Sequence, residues 1–230
     1  MAKKATSRPD CQAARKPTAL EEEMADPAEF WDKAANKYSK KPVKDVENYN
    51  KTLDHTRKHL SSGDAVLEVG CGTGTTALLL APSVGRIVAT DISARMIEIA
   101  REKAATGKVE NVHFDRATLF DEGLEEGSFD VVMGFNFLHL LVDISGSVRR
   151  VHELLKPGGR FISKTVCLTE QSRLWRVVVG VMRPLGIAPY VRCLKVAELE
   201  AIISGAGFEI VETGFYPPSP PSLYIVARKY

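Results

Sequence analysis

Short apolar runs alternate with amphipathic segments through most of the chain. Five runs rich in β-branched residues follow one another: AVLEVG, RIVATDIS, VENVHFDRAT, FDVVMGFNF and RFISKTVCL. Between the second and third runs, Met96, Ala100 and Ala104 repeat every four residues, as on one face of an amphipathic helix. Strands that alternate with helices predict an α/β fold, with a mostly parallel sheet covered on both faces.

Proline, glycine and capping residues mark the predicted helix ends. The helix after the first strand is expected to stop near Pro82 and Gly85, and the next helix to begin after the N-cap Ser93 and to end near Gly107. In SGSVRRVHELL, the residues predicted to line one helix face are Val148, Val151, Leu154 and Leu155. The Pro-Gly-Gly that follows is expected to break this helix before the fifth strand.

The two ends of the domain have different patterns. At the C-terminal end, a helix (VAELEAIISGAG) is followed by two strands, FEIVETGFY and LYIVARK, with the proline-rich loop PPSPPS between them. A parallel crossover needs about a dozen residues, so this pair must be an antiparallel hairpin. At the other end, Asp26 before Pro27 is typical of an N-cap with proline in the first turn, and two or three helices are expected before a turn over 61–64.

Charge and composition indicate a leader and one domain. Residues 1–18 carry five lysines or arginines and one aspartate without an apolar period, so they are expected to be disordered. The 230-residue chain is 44% hydrophobic, enough for one core, and its net charge of +2 does not indicate a nucleic-acid partner. The predicted organisation is a leader over 1–26 and a single domain over 27–230, with a helical cap over 27–60 and a substrate-side helical insert over 172–192.

The sequence predicts neither a membrane span nor a metal site. The most apolar run of the insert has six residues between Arg176 and Arg183, whereas a span needs about 20. The arginines within the insert are also compatible with a peripheral contact between this segment and a membrane surface. The leader lacks the apolar core of a secretory signal, so a cytoplasmic protein is expected, with an organellar transit peptide as the alternative. The four cysteines have no metal-type spacing, and no carboxylate cluster follows the fourth strand.

A glycine-rich turn follows the first strand, and an acid ends the second. Gly70, Gly72 and Gly74 stand where bare backbone and helix N–H groups can approach a ligand. The Asp91 carboxylate is placed to accept hydrogen bonds from ribose hydroxyls. The third glycine comes one residue earlier than in the G-x-G-x-x-G of dinucleotide folds, which disfavours a nicotinamide cofactor. Together these features predict a site for an adenosine ligand.

The order and spacing of VLEVGCGTG, ATDIS, FDVVMGFNFLHLL, LLKPGGRF and AGFEIVE resemble class I S-adenosylmethionine-dependent methyltransferases over residues 27–229. The chain is most similar to the small-molecule branch, methyltransferase type 11, which includes quinone-biosynthesis enzymes. The resemblance implies a Rossmann-like, doubly wound, seven-stranded sheet with a reversed C-terminal hairpin. It also implies S-adenosyl-L-methionine as cofactor and a small, apolar or aromatic methyl acceptor.

The resemblance also implies which residues contact the cofactor. They are Tyr38, Glu68, Gly70, Cys71, Gly72, Gly74, Asp91, Ile92, Met96, Thr118, Leu119 and Asn136. Asp91 would hold the ribose, Ile92 and Met96 would flank the adenine, and the glycine turn would border the methionine end. Family members commonly carry an acid after the third strand; Thr118 stands at the matching position, and its hydroxyl accepts a hydrogen bond more weakly than a carboxylate. Asp115 is expected to point away.

Three residues are candidates for the chemistry: His139, Asn136 and Tyr38. Transfer from a sulfonium mainly requires positioning, and a general base is needed only for an acceptor such as a phenol. His139 is the candidate base because its ordinary pKa lies near neutrality, and Asp143 would either orient it or cap a helix. Asn136 would lie beside the transferring methyl, and Tyr38 would close the site.

Two other functions stay open from the sequence. A non-catalytic module that binds S-adenosylmethionine is one, and Thr118 is the residue that favours it. The other is a methyltransferase acting on protein or nucleic acid. It is disfavoured because GFNF lacks the proline of amino-methylating DNA enzymes and no second domain offers a basic surface. No stable nucleic-acid partner is expected, and the chain is expected to be a monomer or homodimer. His55 and His59 are predicted to be surface residues.

Overall fold

A computed structural model describes residues 26–167 and 189–230. Its strands are β1 (Ala65–Val69), β2 (Arg86–Asp91), β3 (Val112–Arg116), β4 (Phe129–Phe135), β5 (Leu155–Val166), β6 (Phe208–Pro218) and β7 (Pro221–Lys229). They form one sheet in the order β3-β2-β1-β4-β5-β7-β6. The pairings from β3 to β5 are parallel, and β7 is antiparallel to both of its neighbours. The predicted fold class, including the reversed hairpin, is confirmed.

Six α-helices occur among the described residues. They are α1 (Pro27–Ser39), α2 (Val46–Arg57), α3 (Thr75–Leu80), α4 (Ala94–Gly107), α5 (Ile144–Leu154) and α6 (Val196–Gly205), and 3-10 turns lie at Ala81–Ser83 and Leu138–Leu140. Asp26 caps α1 by accepting a 2.9 Å bond from the N–H of Ala28. Ser93 caps α4 in the same way through Met96, at 3.1 Å. Both predicted N-caps are confirmed.

The sheet is packed on both faces. On one face, Leu67 and Val132 pack with α5 and α6 through Val148, Val151 and Leu199. On the other face, residues of the same strands pack with α2, α3 and α4; these include Val66, Met133, Leu53, Ala77 and Ala100. Because alternate residues of β1 and β4 enter opposite cores, both strands read as unbroken apolar runs.

Two predicted boundaries were wrong. Leu155 belongs to β5 rather than to the helix, and the Pro-Gly-Gly lies inside β5. Phe129 of β4 lies opposite Leu155 of β5, whereas Val131 lies opposite Arg160. Residues 156–159 of β5 therefore bulge opposite the single residue Asp130 of β4. Likewise, β6 and β7 reach Pro218 and Pro221, so only two residues of the predicted proline loop remain as the turn. Prolines and glycines are tolerated at these bulged and terminal positions because few ladder hydrogen bonds are needed there.

The prediction that His55 and His59 are surface residues was also wrong. Nδ1 of His55 lies 2.6 Å from one carboxylate oxygen of Glu212, and Nε2 of His59 lies 2.7 Å from the other. The two histidine side chains are 30% and 20% exposed. The reason is that α2 packs across β6, so the histidine face of α2 meets the sheet.

Some predictions lie outside the described residues. The leader, apart from residue 26, and most of the predicted insert fall there. Residues 189–192 of the insert are described and are neither helix nor strand. Among the described helices, none combines the length and the apolar character that crossing a membrane requires.

Candidate functional site

All three glycines after β1 adopt left-handed backbone conformations, with φ of 65° at Gly70, 54° at Gly72 and 74° at Gly74. A Cβ on Gly70 would come within 2.6 Å of the Phe137 ring, so that position also excludes side chains by contact. A Cβ on Gly72 would meet nothing closer than Tyr38, at 3.9 Å. The turn therefore presents bare backbone at Gly72 to a cleft at the carboxyl ends of β1 and β4.

Asp91 is joined to this turn by hydrogen bonds. One carboxylate oxygen accepts from the N–H of Gly72 at 2.9 Å, and the other accepts from the N–H of Ser93 at 2.9 Å. Burial raises the pKa of Asp91, while these two backbone hydrogen bonds oppose the rise. An ionised carboxylate has about four acceptor positions, so about two are left for the hydroxyls of a ligand.

A cavity of about 530 Å³ opens beside Asp91. Most residues predicted to contact the cofactor line it: Tyr38, Gly70, Gly72, Asp91, Ile92, Met96, Thr118, Leu119 and Asn136. The candidate base His139 and the aromatic residue Trp31 line it as well. The structure thus brings together residues from the ends of β1, β2, β3 and β4 and from α1, which is the crevice where open α/β sheets bind ligands.

A second cavity, of about 450 Å³, adjoins the first. The two cavities share the wall formed by Tyr38, Gly70, Gly72, Phe135 and Asn136. Of the remaining predicted contacts, Glu68 and Cys71 line this smaller cavity. Gly74 is not among the lining residues of either, and a Cβ there would lie 2.6 Å from Phe114. The structure therefore gives Gly74 a packing position, and its predicted contact with the cofactor has no support from the cavities.

Glu68 is a buried acid beneath the turn. One carboxylate oxygen accepts a hydrogen bond from the backbone of Ala77, whereas Oε2 is buried and has no partner in the part of the chain that the structure describes. Burial raises the pKa of Glu68 to about 8. At pH 7 this carboxyl is therefore mostly neutral, and its O–H is available to donate to a group at the turn.

The loop after β3 presents Thr118 to the larger cavity. The backbone N–H of Thr118 is hydrogen-bonded to the Asp121 carboxylate, and its hydroxyl accepts from the N–H of Phe120 at 3.2 Å. Asp115 instead pairs with Arg101 at 3.2 Å and with His113 at 3.0 Å on the protein surface. Asp115 is therefore turned away from the site.

His139 lies on a 3-10 turn after β4 rather than on an α-helix. Its Nδ1 is buried and has no hydrogen-bond partner among residues 26–167 and 189–230. Burial lowers the pKa of His139 to about 4, so the ring is neutral at pH 7. Asp143 caps α5 by accepting from the N–H of Gly146 at 2.8 Å, and so serves the helix rather than the histidine.

Helix α1 closes one side of the larger cavity. Trp31 and Tyr38 pack edge to face, with ring centroids 6.3 Å apart. Asp32, between them, accepts from the Ser93 hydroxyl at 2.5 Å and from the N–H of Arg95 at 3.0 Å. Sequence reasoning missed Asp32, because a single acid on an amphipathic helix gives no signal of a partner about sixty residues away. Asp32 fixes α1 against the loop that carries Asp91.

Sequence reasoning also missed Lys164, which lines the smaller cavity from β5. The available signal was a lysine within the apolar strand RFISKTV. No cluster of histidine, cysteine and acidic side chains suited to a metal ion occurs in residues 26–167 and 189–230.

The chain is similar to known methyltransferases. A family model described as a methyltransferase domain matches residues 60–197. The uncharacterized methyltransferase YcgJ of Bacillus subtilis (strain 168) is 35% identical over 97 residues, 42% of this chain and 38% of that protein. The crystal structure of YcgJ has a TM-score of 0.66 at 21% identity and covers 78% of this chain and 98% of that one. Two further matching relatives are large synthases, of which the match spans only 4% and 5%.

Two other proteins extend the comparison. The ubiquinone biosynthesis O-methyltransferase of Nitrosococcus oceani is 29% identical over 178 residues, 74% of this chain and 73% of that protein. Geranyl diphosphate C-methyltransferase from Streptomyces coelicolor A3(2), solved with S-adenosyl-L-homocysteine, has a TM-score of 0.67 at 14% identity and covers 79% and 77% of the two chains. Because the family model spans more than half of the sequence and the fold agrees with it, this chain belongs to the class I S-adenosylmethionine-dependent methyltransferases.

Proposed function

We propose that the protein transfers the methyl group of S-adenosylmethionine to a small, apolar or aromatic molecule. The observation that supports this proposal is the wall shared by the two cavities, at Tyr38, Gly70, Gly72, Phe135 and Asn136. Cavities of about 300–1,000 Å³ suit small molecules. Two such cavities in contact allow a donor and an acceptor to be held side by side, which is the main requirement of a transfer between bound molecules.

The larger cavity fits the donor. The free acceptor positions of Asp91 match the two ribose hydroxyls, and Ile92 and Met96 offer apolar surface to the adenine. The bare backbone of Gly72, where a Cβ would meet nothing closer than Tyr38 at 3.9 Å, leaves room for the amino-acid end. When bound, S-adenosylmethionine supplies a methyl group on a positively charged sulfur; an acceptor lone pair forms the new bond to carbon, and the sulfur keeps the electrons of the broken bond.

The chain's own residues would act mainly by positioning. Asn136, with φ of 53°, is held on the shared wall by a 2.7 Å bond from its N–H to the carbonyl of Lys164. Tyr38 covers the same wall from α1. His139 is neutral at pH 7 and so is able to accept a proton, but a pKa of about 4 makes it a weak base. Orientation therefore carries more of the proposed catalysis than proton removal does.

The relatives support a small-molecule acceptor. The Nitrosococcus oceani protein, which aligns over about three quarters of both chains, is named for ubiquinone biosynthesis. A methyltransferase acting on protein or nucleic acid is less well supported because both cavities have small-molecule dimensions. A non-catalytic binding module is less well supported because a second cavity adjoins the one that fits the donor. A cytoplasmic location, and a monomeric or homodimeric state, stay predictions.

The test is incorporation of labelled methyl groups. Purified protein is incubated with methyl-labelled S-adenosylmethionine and a cell extract, which is then separated into small-molecule, protein and nucleic-acid fractions. We expect label in the small-molecule fraction, lost with Asp91→Ala and kept with the matched control Asp115→Ala. Label confined to protein or nucleic acid, or equal loss in both variants, would contradict the proposal.

A further inference from the structure

The smaller cavity contains a buried lysine that belongs to the middle of the sheet. Lys164 pairs with Phe135 of β4 on one side and with Tyr224 of β7 on the other, and it is 8% exposed. Its side chain lies on the sheet face that packs against α2. A cation in this position is costly unless it meets an anion or several acceptors.

Lys164 has few acceptors among the described residues. Its Nζ donates only a long bond, 3.4 Å, to the hydroxyl of Thr52. No carboxylate oxygen of residues 26–167 or 189–230 lies within 4.0 Å of Nζ. Asp45 is the acid that influences it, but Asp45 is exposed and bonds to the backbone and side chain of Asn48 at 3.1 and 2.8 Å. Within the described part of the chain, the ammonium group therefore has no carboxylate in direct contact.

The fold does not require a charge at this position. The core on this face of the sheet is apolar, and its members near Lys164 include Leu53, Met133, Ile162 and Tyr224. Burial lowers the pKa of Lys164, and the charge on Asp45 only partly opposes that effect. A methionine of similar length would fill the space at no electrostatic cost. A buried charge that the packing does not need, in the wall of a cavity, indicates a role in binding a ligand.

The remaining lining of the smaller cavity suits an aromatic anion. Tyr38, Tyr49, Phe135 and Tyr216 supply flat apolar surface. The exposed side chains of Lys41 and Lys44 add positive charge at the rim, and Lys103 lines the cavity as well. The acids that line it are Asp45 and Glu68, and Glu68 is mostly neutral at pH 7. Positive charge therefore predominates.

We propose that the methyl acceptor is an aromatic carboxylic acid whose carboxylate pairs with Lys164 in the smaller cavity, while the donor occupies the larger one. The proposal rests on the function proposed above and narrows its acceptor class. The lysine selects the acceptor by its charge, and the aromatic walls orient its ring toward Asn136 on the shared wall. Lys164 is thus a specificity-determining residue.

Binding measurements separate this proposal from the proposed function. The full-length protein is first titrated with S-adenosylhomocysteine, and then the resulting complex is titrated with matched acids and amides: benzoate and benzamide, phenylacetate and phenylacetamide, indole-3-acetate and indole-3-acetamide. The variants are Lys164→Met and Lys164→Gln, which remove the charge, Lys164→Arg, which keeps it, and Lys33→Met, which removes an exposed lysine of α1 that lines neither cavity.

We expect at least one acid to bind the wild-type complex about tenfold more tightly than its amide, as an ionic hydrogen bond allows. That preference should fall to within about threefold in the two neutral variants and persist in Lys164→Arg and Lys33→Met. The affinity for S-adenosylhomocysteine should not change in any of them.

Three results would overturn the proposal. The first is equal binding of every acid and its amide, or no binding of either, to a wild-type complex that has bound S-adenosylhomocysteine. The second is an acid preference that survives in both neutral variants. The third is a tenfold loss of affinity for S-adenosylhomocysteine in Lys164→Met, with no matching loss of affinity for methylthioadenosine, which lacks the carboxylate. That result would mean that Lys164 binds the carboxylate of the donor rather than that of the acceptor. Failure of the wild-type protein to bind S-adenosylhomocysteine would instead contradict the proposed function.

Discussion

The Asp91 carboxylate accepts a 2.9 Å hydrogen bond from the backbone N–H of Gly72, so the acid that ends β2 and the turn that follows β1 form one unit. A second bond, from the N–H of Ser93, fixes the other carboxylate oxygen. The orientation of the acid is therefore set by backbone groups before any ligand arrives. Such preorganisation lowers the entropic cost of binding a ribose.

Replacing Asp91 should weaken donor binding strongly. Asp91→Ala removes two charge-assisted acceptors for ribose hydroxyls, and we expect the affinity for S-adenosylhomocysteine to fall by about 100-fold or more. Isothermal titration calorimetry measures this change. The matched control is Asp115→Ala, because Asp115 pairs with Arg101 on the surface. Unchanged affinity in Asp91→Ala would remove the ribose contact from the proposed site.

Gly70 should tolerate no side chain. Gly70→Ala places a Cβ 2.6 Å from the Phe137 ring in a left-handed conformation, which alone costs about 1–2 kcal/mol for an L-residue. We expect a lower free energy of unfolding and weaker binding of S-adenosylhomocysteine, because Phe137 lines the larger cavity and must move. Gly63→Ala is the control, since nothing lies within 4 Å of its Cβ. If Gly70→Ala matched Gly63→Ala in both measurements, the close packing of the turn would be wrong.

The contact of α2 with β6 should depend on pH through Glu212. Burial raises the pKa of Glu212, but hydrogen bonds from His59 and His55 outweigh it, and the pKa is lowered from 4.5. A lowered carboxyl pKa contributes stability above about pH 4.5, and this contribution is lost as the pH falls through the folded-state value. We therefore expect Glu212→Gln to reduce the free energy of unfolding by about 1–2 kcal/mol at pH 7, with a smaller difference at acid pH.

Denaturant unfolding at several pH values measures this difference. Glu209→Gln is the matched control on the same strand, because Glu209 pairs with Arg228 at the surface and should contribute less. Equal effects of the two substitutions at pH 7 would show that the two histidines do not stabilise the Glu212 carboxylate.

His139 should destabilise the fold in acid. Its pKa is lowered from 6.5 to about 4 by burial, so the unfolded chain binds a proton that the folded chain does not between these values. The neutral ring makes its full contribution to the free energy of unfolding above about pH 6.5, and about 3 kcal/mol of that contribution is lost as the pH falls toward 4. The His139→Phe variant should lack this part of the pH dependence, whereas His113→Phe, at an exposed site, should keep it.

The same shift bears on the candidate base. If His139 removes a proton in the reaction, the pH–rate profile should fall off near pH 4 rather than near 6.5, and His139→Phe should lose about 10²–10⁴-fold in rate. A loss smaller than about tenfold would leave His139 as a packing residue of the cavity.

The layers, the strand sequence and the reversed hairpin could be predicted because they depend on local periodicity and loop length. The glycine turn and Asp91 could be predicted because both lie at strand ends, where the fold class fixes the site. Contacts between distant segments could not be predicted: Asp32 with Ser93, and His55 with Glu212, each join a residue of an N-terminal helix to a segment far along the chain, and neither local pattern points to the other. Lys164 was missed because the residues next to it in β5 do not indicate that its side chain lines a cavity.

Helices α1 and α2 precede residues 60–197, the stretch that matches the family. They nevertheless supply Tyr38 to both cavities, Trp31 to the larger one and Tyr49 and Thr52 to the smaller one. Part of the wall of the proposed acceptor cavity is thus encoded apart from the glycine turn proposed to bind the donor. Substitutions in the first sixty residues would therefore reshape the proposed acceptor cavity and leave the glycine turn and Asp91 unchanged.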